Sequence, residues 1–147
     1  MKKICYWAPC LDKVGTHKAV INSALSLSKY SKNLFQVYII NACGEWDDKK
    51  SFFIKNNIRI INLNFSYFNY LPKVGYLSSR ISTLLIFILS IIPLFKFLLR
   101  VKPDYFIGHL LTALPIFIFN FFDFKTRFIL RISGFPKLTF LRKNFWK

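Results

Sequence analysis

A parallel α/β sheet flanked by helices is the fold class this sequence predicts, and three observations predict it. Short runs of β-branched and aromatic residues alternate with longer helical patterns, the rhythm of βαβ units. The first run, residues 4–8, passes through a loop at 9–16 that carries Gly15 and goes straight into a helical pattern at 18–30. A chain of 147 residues without repeat or low-complexity linker is the length of one domain, here 1–147.

The elements follow in order. Residues 34–41 (LFQVYIIN) read as the second strand. A polar loop at 42–50 leads to a short helix at 49–56, and Asn56–Asn57 is the turn signal before a third strand at 58–63. Residues 64–75 are irregular and aromatic, with Pro72 and Gly75. The apolar segment 81–99 reads as a buried or membrane-facing helix, with Pro93 inside it. A fourth strand is expected at 104–109, an apolar helix at 110–122 and a fifth strand at 125–132, closed by a turn at 133–136. That order predicts parallel pairing through right-handed crossovers.

Composition narrows the class. Hydrophobic residues are 54% of the chain and Phe alone accounts for 18 positions, more than one small core needs. Some apolar surface is therefore expected to meet a membrane or another domain. The 22 Lys and Arg against 6 Asp and Glu give a net charge of +16, which suits anionic partners. AT-rich codons also supply Lys, Asn, Ile and Phe, so part of the basicity is expected from genome composition. Cys5, Cys10 and Cys43 form no CxxC pair and no Cys/His cluster, so they read as reduced thiols, and no metal site is expected. No secretory signal is apparent. P-loop, dinucleotide and nucleophile-elbow motifs are absent from the sequence.

Candidate chemistry lies at the carboxyl ends of strands, where open α/β sheets take ligands. After the first strand come Gly15, Thr16, His17 and Lys18. Gly15 lets backbone approach a phosphate, and Thr16 is a plausible N-cap; equally, the pair serves only to turn the chain and cap the helix. His17 and Lys18 are expected to be solvated. His109 ends the fourth strand as a hydrogen-bonding group or general base, or as a satisfied core histidine. Arg131, with Ser133 and Gly134, ends the fifth; a buried Arg131 needs an anion, either a ligand or a loop carboxylate. The basic, aromatic segment 137–147 reads as a surface for lipid headgroups or nucleic acid, or as a solvated face.

Four segments carry a family resemblance: VGTHKAVINSALSLSKYS, VYIINACGEW, KPDYFIGHLLTALP and FILRISGFPKLTFLRKNFWK. Together they resemble the N-terminal domain of bacterial family 4 glycosyltransferases, retaining enzymes of the two-domain GT-B fold that build surface polysaccharides. The resemblance implies that the chain is the acceptor-side half of such an enzyme. Gly15, Thr16 and Lys18 would then face the diphosphate of a nucleotide-sugar donor. His109 would match the histidine that ends the fourth strand, as the catalytic-side contact. Arg131, Ser133 and Gly134 would match the strand-end turn that meets an anion or the acceptor. Val14 stands where many members have a first glycine, and the histidine some members carry near Ser133 is missing.

The resemblance further implies a nucleotide sugar as substrate, no cofactor, and a polyprenyl-linked or saccharide acceptor. It implies a cytoplasmic protein, peripheral on the inner face of the plasma membrane and held by its anionic surface. Donor binding in that family lies in a C-terminal domain, so a missing domain or partner chain is expected, with the isolated chain inactive. Two other readings stay open: a small membrane-embedded protein with a span at 81–99, and a basic nucleic-acid-binding module. Nucleic acid is not an expected partner, since no stacking platform or recognised fold for it is present.

Overall fold

The computed structural model describes residues 1–11, 15–31, 33–73, 75–110 and 113–131. Five strands, β1 (Lys2–Trp7), β2 (Phe35–Asn41), β3 (Arg59–Asn62), β4 (Tyr105–Gly108) and β5 (Arg127–Leu130), form one parallel sheet in the order β3-β2-β1-β4-β5. Helices α1 (Gly15–Tyr30), α2 (Lys50–Lys55), α3 (Tyr76–Val101) and α4 (Ala113–Phe121) connect them. The fold is a Rossmann-like α/β sheet. The chain builds outward from β1 to β3, then crosses to β4 and β5 on the other side, so the strand order reverses between β1 and β4.

Alternation along β1 explains the two cores. Cys5 and Trp7 point to one face, where Leu94 and Leu98 of α3 and Leu114 and Ile118 of α4 pack. Ile4, Tyr6 and Ala8 point to the other, against Val20 and Ala24 of α1 and Phe53 of α2. Much of the phenylalanine excess sits on the α3/α4 face, where Phe119 stacks on Phe128 at 5.0 Å and leans on Phe106 at 5.5 Å. Cys5, Cys10 and Cys43 are all buried and free, and burial raises every thiol pKa, that of Cys10 to about 12.

Boundaries differ from the sequence expectation in instructive ways. Helix α1 begins at Gly15, so Thr16 lies in its first turn and is not the N-cap. Helix α3 spans 26 residues and takes in five more at its start than the apolar run suggested. Strands β4 and β5 are four residues each and lie within the expected 104–109 and 125–132.

Helix α3 passes through Pro93 without ending. Proline has no N–H to give the carbonyl four residues earlier. That carbonyl, of Leu89, accepts instead from the side-chain amide of Asn64 at 3.2 Å; the same nitrogen reaches the Ala42 carbonyl at 3.3 Å. Ser82, on the inward face, donates to the Pro72 carbonyl at 2.5 Å and pins the preceding loop. Segment Leu77–Val101 is long and apolar enough to cross a membrane by length and composition, with mean hydropathy 2.4. In the fold it is the crossover from β3 to β4, and its inward residues Ile86, Leu94 and Leu98 belong to the core beneath the sheet.

Candidate functional site

A cavity of about 290 Å³ opens at the carboxyl edge of the sheet, lined by Gly15, Thr16, Ala19, His109 and Arg131. It sits where β1 and β4 part company, at the reversal of strand order. Register brings its walls together. Trp7 pairs with Gly108, and Gly108 with Leu130, so the residues leaving β1, β4 and β5 converge on one spot. The His109 amide donates to the Trp7 carbonyl at 2.9 Å, and the Arg131 amide to the Gly108 carbonyl at 2.9 Å, which carries the ladder one residue past each strand.

Each wall has its own chemistry. Gly15 opens α1, where backbone N–H groups without an intrahelical partner and the helix dipole favour an anion. Among the described residues a Cβ on Gly15 would meet nothing within 4 Å, so the missing side chain leaves open space on the cavity wall. Arg131 brings a permanent positive charge. His109 is 8% exposed, and its ring lies 6.0 Å from that of Tyr6, whose hydroxyl pairs with Ser23 at 2.7 Å. Burial first, and the Arg131 charge second, push the His109 pKa down to about 4. Its imidazole is therefore neutral at pH 7: one nitrogen donates, the other accepts. No acidic side chain lines the cavity among the described residues. The set can hold a phosphate or carboxylate and offer a neutral hydrogen-bonding ring beside it.

His17 departs from expectation, and Arg131 and Lys18 take places that the sequence left open. Arg131 is exposed rather than buried, and it makes no ion pair among the described residues; it reaches the cavity from a strand end open to water. His17 is buried, not solvated: it stacks on Trp46 at 4.3 Å, beneath the loop that follows β2. Lys18 is exposed as expected, yet it does not line the cavity. Ser133, Gly134 and the basic segment 137–147 lie outside the described residues.

Sequence reasoning passed over Glu45. It is 2% exposed, and its carboxylate accepts from the backbone N–H of Ala42 at 3.0 Å and of Cys43 at 2.8 Å. Burial raises its pKa against those bonds. It shapes the loop after β2, which in turn supplies Trp46 to His17. Tyr6 and Ala19 were also missed. A tyrosine facing α1 was the available signal for the first, and the i+4 spacing from Gly15 for the second. No protein-family profile, curated protein or solved structure matches this chain.

Proposed function

We propose that this chain is the acceptor-side domain of a retaining, family 4-like glycosyltransferase of surface-polysaccharide synthesis. In this reading the cavity at the β1/β4 edge receives the diphosphate of a nucleotide sugar. One observation carries it: Gly15, Thr16, His109 and Arg131, from three separate strand ends, line one cavity with cationic and N–H character and no carboxylate among the described residues. The resemblance of the four sequence segments supplies the reaction class.

The chemistry follows from charge. When the anomeric C–O bond of the donor breaks, its electron pair stays on the diphosphate oxygen; the acceptor hydroxyl oxygen bonds the anomeric carbon, and its proton passes to that diphosphate oxygen. The α1 N-terminus and Arg131 stabilise that developing charge more than they stabilise the bound donor. His109, neutral, orients a sugar or acceptor hydroxyl by hydrogen bonding rather than by taking its proton. A second domain or chain would face this wall across the cleft and hold the nucleotide.

Calorimetric titration with uridine diphosphate and with inorganic pyrophosphate tests the reading. Saturable binding is expected, at ~1 mM or tighter, about −4 kcal/mol. Gly15→Val fills the open space and is expected to weaken binding at least tenfold while the far-UV spectrum stays unchanged; Arg131→Gln acts in the same direction. No binding at ~10 mM, a Kd that would amount to less than ~3 kcal/mol, overturns the proposal. So does binding that ignores both substitutions.

A further inference from the structure

The outward face of α3 has no protein partner among the described residues. Leu77, Ile81, Leu84, Ile88 and Ile92 are 73%, 54%, 57%, 54% and 63% exposed. Their spacing of four, three, four and four residues keeps them on one stripe, about 22 Å long at 1.5 Å per residue. Arg80 stands exposed beside the start of the stripe, and Lys96 and Arg100 beyond its end. At that end a groove of about 370 Å³ runs between β3 and α3. Ile61, Leu63, Ile92 and Pro93 form its apolar walls, and Lys96 and Arg100 line it one helical turn apart.

Charge names the occupant. Residues 49–103 contain nine Lys and Arg and no Asp or Glu. An aliphatic stripe with cations at both ends, in an acid-free stretch, complements a layer that is apolar inside and anionic at its surface. We propose that α3 lies in the plane of an anionic phospholipid membrane, its stripe among the acyl chains, and that the Lys96/Arg100 groove holds the phosphate of one lipid headgroup. The groove has room for about a dozen water volumes of ~30 Å³, enough for a phosphodiester and the first carbons of a chain. This site is on a different surface from the β1/β4 cavity and stands whatever that cavity binds.

Flotation of the full chain with vesicles tests it. Phosphatidylcholine vesicles are compared with vesicles carrying about 30% phosphatidylglycerol, whose surface attracts each nearby Lys or Arg by ~1 kcal/mol, about fivefold. The chain is expected to prefer the anionic vesicles at least tenfold. Lys96→Gln with Arg100→Gln is expected to cut anionic binding by roughly 25-fold, fivefold for each cation. Leu84→Gln with Ile88→Gln is expected to lower binding to both vesicle types, and these exposed positions leave the fold intact by circular dichroism.

Equal binding to both vesicle types overturns the proposal. A vesicle-free dimer that Leu84→Gln and Ile88→Gln dissociate overturns it in favour of a second copy on the stripe. Resistance of the membrane-bound chain to alkaline carbonate overturns it in favour of a spanning helix.

Discussion

Asn64 ties a loop to a helix at the one carbonyl that Pro93 leaves without its helical partner. Asn64→Ala removes one donor from two carbonyls, Leu89 at 3.2 Å and Ala42 at 3.3 Å. At ~0.5–1.5 kcal/mol net per bond, with the Leu89 bond exposed and the Ala42 bond part-buried, the expected cost is ~1–2 kcal/mol. Pro93→Ala restores the helical N–H to Leu89. The helix gains ~3 kcal/mol over proline, offset by up to ~1 kcal/mol from a looser unfolded chain, so a net gain of ~2 kcal/mol is expected. In the Pro93→Ala background, Asn64→Ala loses only the Ala42 bond, about 0.5–1 kcal/mol. The two substitutions should therefore couple by ~0.5–1 kcal/mol, as residues sharing one acceptor do. Urea unfolding of the four proteins measures it, with the fully buried Trp7 and Trp46 as fluorescent reporters and matching slopes as the control. If the two effects add within ~0.3 kcal/mol, Asn64 does not compensate for Pro93 and the reasoning fails.

Two further outcomes are expected. Gly44 sits at φ +104°, and a Cβ there would collide with the Ser66 hydroxyl, so Gly44→Ala should lower stability by ~1–3 kcal/mol in the same urea assay. His109 should titrate by NMR near its pKa of about 4, and Arg131→Gln should raise that value only part of the way, because burial is the larger cause. The sign for stability follows: the unfolded chain takes up this proton first, so the His109 contribution is complete above pH ~6.5 and is lost as pH falls from there through about 4.

The architecture was largely legible because local chemistry and topology agree here. Each strand is a β-branched or aromatic run bounded by turn residues. Asn57 does adopt the left-handed backbone, φ 58°, that its turn signal implied. The convergence of Gly15, His109 and Arg131 was legible too, since parallel strands bring all their carboxyl ends to one edge. What failed was burial at the borders of elements. His17 opens a helix and reads as solvated, but Trp46, 29 residues on, covers it from a loop whose path no local pattern encodes. Arg131 follows an apolar run that leaves its burial open; it is exposed, at the end of a strand whose residues alternate between exposed and half-buried. Glu45 looked like one more loop carboxylate, and only the turn of residues 42–46 shows that it folds back onto its own backbone.

Three buried thiols are distributed over both faces of the sheet. Cys5 lies in β1 on the α3/α4 side, Cys10 on the α1/α2 side, and Cys43 in the loop after β2. Their raised pKa values keep the thiolate scarce, so alkylating reagents find little to attack while the fold is closed. Reagent uptake then becomes a clock for opening, read separately on each side of the sheet. Labelling order among the three sites gives the sequence in which the helical layers come away, with no residue introduced as a reporter.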